Sequence, residues 1–448
     1  MAALVIRSPK FILALLTALN LLNYLDRYVL SAVVAPIEHD LSLSHSVAGL
    51  LPTIFLVGYF ATSPLFGLWG DRPGGWGRKV PIGLGVAVWS VATVGSGLAG
   101  GFASMVRSRA LVGAGEASYA TIAPTLIDDI APPSRKGAWM SIFYAATPIG
   151  SALGYLVGGA VLHAHGWREA FYVAGGPGIV AALLCFLIAE PARQRADAPT
   201  RRPFALARML APAALYRAFN AALRTWWDVA CNLTRGALYR GTVLGFCAYT
   251  FAIGGFAFWA PAYLHIRYGL EAGRASFLFG LVTVAGGSIG TLVGGIVSDR
   301  AAQARLRREA LSGSPPAGRA ADDAITRANL IVIAASCALG APLAAAAISA
   351  PTASVFFALA LPCQIALFAL SGPINVALLR SAPPALRASA MALSIFSIHA
   401  LGDLWSPPII GLAADHAPMQ LAMYAVPVVF AIAAALWWRT AFTQARLT

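Results

Sequence analysis

Four ionisable residues stand in the middle of stretches that are otherwise apolar. Asp26 and Arg27 interrupt one stretch, and Arg109 and Glu116 interrupt another. A charge at the centre of a bilayer costs about 2.5–3.5 kcal/mol per residue on insertion scales, so these four are expensive unless they face water or one another. Ionisable groups in this setting predict a pathway for a substrate or for protons.

The spacing of these residues suggests how they would work. Arg109 and Glu116 are seven residues apart, or two helical turns, so both side chains should leave the same helix face. Burial disfavours a charged carboxylate and a nearby arginine favours it, so a change of partner or hydration changes its proton affinity. We expect Asp26 and Glu116 to bind protons, with Arg27 paired to Glu116 in one state.

The two arginines stay charged at any physiological pH. Arg27 and Arg109 are therefore candidates both for the fixed partners of the carboxylates and for binding a substrate phosphate. The alternative interpretation is a static network of buried salt bridges that holds the first six helices together.

The composition shows which elements must position these residues. Of the 448 residues, 58% are hydrophobic and only 11% are charged, whereas soluble domains carry about 25% charged residues. Apolar runs long enough to cross a hydrocarbon core of about 30 Å recur along the whole chain. Twelve transmembrane helices are predicted, at about 11–37, 47–70, 80–100, 102–128, 136–161, 169–189, 239–264, 275–298, 327–348, 353–374, 386–412 and 421–440.

A repeat divides these helices into two halves. Gly67-x3-Asp71-Arg72 ends the second run and Gly295-x3-Asp299-Arg300 ends the eighth, 228 residues later. Internal repeats are common in transporters, which bind substrate at the repeat interface. The predicted fold is an all-α membrane protein with two pseudo-symmetric bundles of six helices. Its domains are 1–190, a cytoplasmic linker with amphipathic helices at 191–238, and 239–448.

The net charge of +14 follows the topology of the membrane protein. Most of the lysines and arginines lie on one side of the predicted helices, so the positive-inside rule places both termini and the linker in the cytoplasm. We therefore expect membrane lipid head groups, and no nucleic acid, as the partners of this positive charge. The five cysteines are scattered singly and suggest no metal site.

Further candidates lie outside the first and fourth runs. The second half is aromatic where the first is charged, and the repeat aligns Asp26 and Arg27 with Gly254 and Gly255. Tyr249, Phe258 and Gln364 are candidates for contact with an amphipathic substrate. His399 lies near the middle of the eleventh run with Asp403 one turn further on. The predicted gate residues are Asp71, Arg72, Arg135, Asp299, Arg300 and Asp403. Gly150, Gly154 and Gly158 predict a small-residue face for close helix contact.

Two sets of motifs resemble known families. Gly67-x3-Asp71-Arg72, followed by Gly77-Arg78-Lys79, is similar to the loop signature of the major facilitator superfamily. Three extra residues within 73–76 interrupt it here, so the gate contacts of that loop are expected to be displaced. A more specific set resembles the Spinster branch: Asn23-Tyr24-Leu25-Asp26-Arg27, the stretch from Arg109 through Glu116 and Tyr119 to Ile127, Ser141-Ile142-Phe143-Tyr144, and His399-Ala400-Leu401-Gly402-Asp403.

This resemblance implies a rocker-switch carrier without a cofactor. It implies lysophospholipids or sphingoid phosphates as substrates, with protons as the coupling ion in bacterial members. It also adds Asn23, Tyr119 and Tyr144 to Arg27, Arg109, Glu116 and His399 as substrate-binding candidates. We expect a monomer in a bacterial inner membrane.

Two other functions stay open from the sequence. One is a proton-driven exporter of drugs or small organic anions, which the same division into a polar and an aromatic half permits. The other is a membrane receptor or scaffold that transports nothing, although that function gives no reason to retain four charges at midplane. An enzyme is not expected, because the sequence contains no nucleophile elbow, no zinc-spaced histidines and no phosphate-binding loop.

Overall fold

A computed structural model describes residues 6–70, 77–132, 135–190, 224, 227–311, 318–383 and 386–443. Helices make up nearly all of the described chain. In the first half they are α1 (Pro9–Leu41), α2 (His45–Gly70), α3 (Lys79–Gly97), α4 (Phe102–Ile130), α5 (Lys136–His165) and α6 (Trp167–Leu187). The second half contains α7 (Ala237–Tyr268), α8 (Ala272–Leu311), α9 (Gly318–Ile348), α10 (Ala353–Phe368), α11 (Ser371–Ser381), α12 (Arg387–Ile398), a π-helix (His399–Asp403), α13 (Ser406–His416), α14 (Met419–Met423) and α15 (Ala425–Thr443).

The helices agree with the predicted runs. Each of the twelve runs is covered by helix, and the last three are each built from consecutive pieces, α10–α11, α12–π-helix–α13 and α14–α15. This confirms the predicted all-α membrane architecture. Most of the predicted linker at 191–238 lies outside the described residues, and its described part at 227–235 is helical. The domain boundaries therefore stay a prediction.

The apolar character of the helices is uneven. Among the described residues, nine helical segments are long and apolar enough to cross a membrane. The predicted runs that are not among them are α1, α4 and the α12–π-helix–α13 stretch, which carry Asp26 and Arg27, Arg109 and Glu116, and His399 and Asp403. Since polar residues are tolerated at membrane depth where they face protein or a cavity, these three must be shielded by their neighbours.

Helix α1 is held in place by the glycine face of α5. A methyl group built at Gly150 would lie 2.4 Å from the backbone oxygen of Leu21, and one at Gly154 would lie 2.6 Å from Cβ of Tyr28. Gly158 continues this face against Ala32. The predicted small-residue contact is therefore confirmed, and it fixes the segment of α1 that carries Asp26 and Arg27.

The two bundles meet at one end of the molecule. We call this the far end, because its helix termini, such as Leu41, His165 and His416, lie opposite the start of α1 and the end of α15; the other end is the near end. Ser276 Oγ of α8 donates to the backbone oxygen of Ala32 of α1 at 2.7 Å. Tyr155 Oη of α5 donates to the backbone oxygen of Ala257 of α7 at 2.6 Å. These contacts close the bundles against each other in the far half.

Two adjacent glycines of α6 give a test of the packing. A methyl group at Gly175 would lie 2.7 Å from the backbone oxygen of Ser90 in α3, whereas one at Gly176 meets nothing within 4 Å. We expect Gly175→Ala to lower the free energy of unfolding by about 1–3 kcal/mol through overpacking. Gly176→Ala, the matched control, should leave stability unchanged or slightly raised, since alanine favours a helix over glycine. Thermal unfolding of the purified variants measures both, and equal melting temperatures would contradict this packing.

Candidate functional site

The central feature of the site is an ion pair between α1 and α4. Arg27 Nε lies 2.8 Å from Glu116 Oε2, and both residues are near the middle of their helices. The Glu116 side chain is fully buried, whereas 21% of the Arg27 side chain is exposed. The pairing predicted from the sequence is thus present in the structure. Its role in proton coupling stays a prediction.

Three aromatic rings surround the Arg27 guanidinium. Its central carbon lies 4.8 Å from the ring centre of Phe55, 5.1 Å from that of Tyr24 and 5.5 Å from that of Tyr59. Cations are attracted to aromatic faces at such distances. Only Nε makes a hydrogen bond, so the Nη nitrogens have no hydrogen-bond partner among the described residues. This cage was not predicted from the sequence, although Phe55 and Tyr59 are four residues apart on one helix face.

A second ion pair, which is more completely buried than the first, lies between the same two helices. Arg109 Nη2 is 3.6 Å from Asp26 Oδ1, and both side chains are almost completely buried. Helix α3 completes this pair, because Thr93 Oγ1 donates to Asp26 Oδ2 at 2.5 Å and Arg109 Nη2 donates to Ser96 Oγ at 2.9 Å. One buried oxygen of each carboxylate, Asp26 Oδ1 and Glu116 Oε1, has no hydrogen-bond partner within the described part of the chain.

A central cavity of about 230 Å³ lies between the two bundles. The first bundle contributes Arg27 and Arg109 to its lining, and the second contributes Phe258, His399 and Asp403. These five residues were predicted as separate candidates, and the structure brings them to one place. The rest of the lining is largely aromatic and aliphatic: Tyr24, Tyr28, Leu30, Ser31, Pro52, Phe55, Leu56, Gly254, Ala257 and Pro407.

His399 and Asp403 form a pair within the π-helix. His399 Nδ1 lies 2.9 Å and 3.0 Å from the two carboxylate oxygens of Asp403. A methyl group at Gly254 of α7 would lie only 2.6 Å from Cβ of Asp403. Asp403 was predicted as a gate residue, but the structure places it in the lining of the central cavity. The reason is that the missing side chain at Gly254 lets the π-helix approach α7.

Three residues predicted to contact the substrate take part in helix packing, and their contact with substrate stays a prediction. The buried Tyr119 hydroxyl donates to the backbone oxygen of Leu16 in α1. The buried Tyr249 hydroxyl donates to the backbone oxygen of Leu367 at 3.2 Å. Gln364 Nε2 donates to Thr283 Oγ1 at 3.2 Å. Each of these polar groups links two helices of the same bundle, and none is in the cavity lining.

The remaining three candidates also lie outside the lining, and one of them, Glu116, is paired with Arg27. Asn23 of α1 is buried, and its Nδ2 has no hydrogen-bond partner among the described residues. Tyr144 of α5 is 55% exposed, and its ring packs edge-on against Phe143 at 5.0 Å between centres. Their substrate contact therefore stays a prediction.

The other predicted gate residues belong to the near end. Arg135, Asp299 and Arg300 are exposed, and Asp71 and Arg72 lie outside the described residues. A contact that sequence analysis missed closes the far end instead. Asp415 at the end of α13 accepts hydrogen bonds from the backbone N–H groups of His45, at 2.8 Å, and Ser46, at 3.0 Å.

Asp415 thus caps the N-terminus of α2 from the opposite bundle. Negative charge is stabilised at a helix N-terminus. Desolvation works against the charged form of Asp415, but hydrogen bonds from Ser46 and His45 outweigh it and lower its pKa below the ordinary value. The cap is therefore present at neutral pH and would be lost only as the pH falls through this lowered pKa.

Comparison with known proteins identifies the relatives of this chain. The family model of the Major Facilitator Superfamily matches residues 16–402. Human protein spinster homolog 1 is 33% identical over 426 residues, which cover 90% of this chain and 73% of that protein. The spinster protein of Drosophila melanogaster is 31% identical, over 91% of this chain and 62% of its own length. A protein of Arabidopsis thaliana named probable sphingolipid transporter spinster homolog 2 is 30% identical, over 96% of this chain and 86% of that protein.

Solved structures share the fold. The chain is similar to a crystal structure of a bacterial homologue of the human lysosomal transporter Spinster in an inward-facing and unoccupied conformation. The TM-score is 0.78 at 21% identity, and 97% of each chain is covered. A D-xylose–proton symporter matches with a TM-score of 0.67 at 19% identity, over 96% of this chain and 98% of that chain.

The Asp415 cap gives a test of the closed far end. We expect Asp415→Asn to favour separation of the bundles at this end, because the amide loses the charge and one acceptor oxygen. A change from charge-assisted to neutral hydrogen bonds is worth about 1 kcal/mol, or about a fivefold shift in the ratio of open to closed molecules. Spin labels at the exposed far-end positions His39 and Ile266 would report it as a larger long-distance population.

Asp40→Asn is the matched control for this experiment. Asp40 is also a far-end carboxylate, but its hydrogen bonds from Trp167 and Arg168 stay within the first bundle. The control should leave the distance distribution unchanged. If both variants, or neither, widen the distribution, Asp415 is not a contact that holds the bundles together.

Proposed function

This chain belongs to the major facilitator superfamily and, within it, to the Spinster proteins, and on that premise we propose that it carries lysophospholipids or sphingoid phosphates across a membrane with proton coupling. The observation that carries the proposal is the central cavity, in which Arg27 and Arg109 face the aromatic and aliphatic side chains of both bundles. A phosphate head group and an acyl chain require those two kinds of surface together.

The Arg27 guanidinium is suited to a phosphate. Its Nε is used by Glu116, but its Nη groups are free of hydrogen bonds within the described chain and the side chain reaches the cavity. Arginine binds phosphate oxygens through such paired N–H groups. The cavity of about 230 Å³ is smaller than the pockets of about 300–1,000 Å³ that enclose drug-sized ligands. We therefore place the head group in the cavity and the acyl chain between the bundles beyond it.

Proton coupling follows from the sharing of Arg27. A phosphate that draws the guanidinium away would leave Glu116 charged, fully buried and without its partner. Removing one partner of a buried ion pair costs about 3–5 kcal/mol, and a proton on the carboxylate removes that cost. Asp26 stands in the same relation to Arg109. Substrate binding and proton uptake are thus linked through the same two arginines.

Transport requires the cavity to open to each side in turn. In the rocker-switch cycle that we propose, the far-end contacts of Asp415, Ser276 and Tyr155 break while near-end contacts form. We place both termini in the cytoplasm of a bacterial cell, from the distribution of basic residues, so the described conformation would face inward.

The name of the Arabidopsis relative supports a sphingolipid-type substrate. We propose that one chain is sufficient for this cycle.

Reconstituted protein tests the function directly. Proteoliposomes should take up or release a labelled lysolipid faster when a pH gradient is imposed, and unlabelled sphingoid phosphate should compete. Drugs, organic anions and sugars of similar size serve as competitors from other transport classes. Competition by one of those classes but not by any lysolipid would contradict the proposed substrate class.

The acid in α1 gives the sharpest prediction. We expect Asp26→Asn to fold, because the amide oxygen still accepts from Thr93 and Ser96 still accepts from Arg109. Its transport should depend less on pH, because only one of the two proposed proton-binding carboxylates, Glu116, is left. The measurement is the initial rate at a mildly acidic and a mildly basic pH. Asp40→Asn, which changes a carboxylate outside the site, should keep the wild-type pH profile. An unchanged profile in Asp26→Asn would show that this residue does not couple protons.

A further inference from the structure

The cavity has opposite charges on its two sides. The lining from the first bundle includes Arg27, whose side chain is 21% exposed, and Arg109, which is almost completely buried. The lining from the second bundle includes Asp403 with His399 beside it. The side chains of Asp403 and His399 are 24% and 25% exposed, in contrast to the fully buried Glu116. A ligand between the bundles therefore meets cations on one side and an accessible carboxylate on the other.

The charges of the first bundle are already balanced before any ligand binds. Arg27 is paired with Glu116 and Arg109 with Asp26. Without proton uptake by Glu116 or Asp26, a head group with only negative charge would add an uncompensated charge to this site, which is costly unless it is paired. A head group that brings its own cation avoids this cost, provided that a carboxylate lies where the cation comes to rest.

Asp403 has the acceptor capacity for such a cation. A carboxylate offers about four lone-pair sites, and both oxygens of Asp403 share a single ring nitrogen of His399. The remaining sites are available on the exposed part of the side chain. Phe258 lines the same side of the cavity and adds an aromatic surface, which attracts ammonium groups.

The backbone around Asp403 is also that of a ligand site. The π-helix widens the turn so that the Leu404 N–H bonds to the His399 carbonyl oxygen at 3.2 Å, five residues back. Such π-turns inside longer helices are frequent at functional sites. Irregular backbone at membrane depth is tolerated where it is buried in protein or lines a cavity, and this one lines the central cavity.

We propose that Asp403 is a specificity residue that selects head groups carrying an ammonium as well as a phosphate. This rests on the proposed function, and it narrows the substrate class to zwitterionic single-chain lipids. The phosphate lies toward Arg27 and Arg109 of the first bundle, and the ammonium lies toward Asp403 and Phe258 of the second. A zwitterionic head group then bridges the two bundles, which gives the ligand a different interaction energy in each arrangement of the bundles.

A pair of ligands and a pair of proteins test this assignment. Oleoyl lysophosphatidylethanolamine and its N-acetyl derivative share phosphate and chain, but only the first has an ammonium. Binding of each to the full chain in nanodiscs is measured by competition against a labelled lysolipid. The unsubstituted chain should bind the ammonium form about tenfold more tightly, and Asp403→Asn should bind the two forms equally. The amide oxygen of the variant still accepts from His399, so the π-helix is retained.

Asp403→Glu is the conservative control and should keep the preference for the ammonium form. A change in overall stability would weaken both ligands alike, so the ratio of their affinities separates selection from a structural role. Equal binding of the two ligands by the unsubstituted chain would overturn the proposal, whatever the variants do. A preference that survives in Asp403→Asn would overturn it as well. Binding of neither lysolipid would instead remove the proposed function, and this inference with it.

Discussion

The pairing of two arginines with two carboxylates between α1 and α4 is the interaction on which the site depends. A guanidinium cannot lose its charge in a protein, so at membrane depth it must find a carboxylate, an aromatic face or water. Arg27 uses the first two, through Glu116 and the cage of Phe55, Tyr24 and Tyr59, and its side chain also lines the cavity. Arg109 uses Asp26 and the Phe171 ring. The glycine contacts of α5 exist because α1 must lie close enough for these pairs to form and stay buried.

The two bundles share a fold but place their acidic residues on different helices. In the first bundle the acid stands on the first helix, at Asp26. In the second, the aligned position is Gly254, and the acid comes from the π-helix that packs over that glycine. The loss of a side chain on α7 and the gain of a carboxylate from the eleventh run are therefore two halves of one arrangement. The result is a cavity with permanent cations on one side and an accessible carboxylate on the other.

The features that could be predicted from the sequence are those that hydropathy and charge determine. The helices follow from long apolar runs. The Arg27–Glu116 pair follows from the cost of a charge in a membrane, which is reduced when the charge is paired. The seven-residue spacing of Arg109 and Glu116 fixed their common helix face. The aromatic cage, the Asp415 cap and the position of Asp403 depend on which helices pack against each other, and no pattern within one helix encodes that packing. The hydrogen bonds of Tyr119 and Tyr249 were not predictable for a related reason, because a hydroxyl that bonds a carbonyl on the next helix looks the same in sequence as one that contacts a ligand.

The contrast between the centre and the far end explains how such a molecule can move. The centre is held by ion pairs inside one bundle, so rocking the bundles need not break them. The bundles themselves are joined by close helix packing, by the exposed His163–Glu271 pair, and by hydrogen bonds between backbone groups and the side chains of Ser276, Tyr155, Thr53 and Asp415. Each such bond contributes only about 0.5–1.5 kcal/mol net, or somewhat more where a charge takes part. A ligand that contacts both bundles can supply a differential binding energy of that size, and a ligand can shift an equilibrium only by its differential affinity for the two states. The central ion pairs therefore stay within the first bundle, and the contacts between the bundles set the balance between their arrangements.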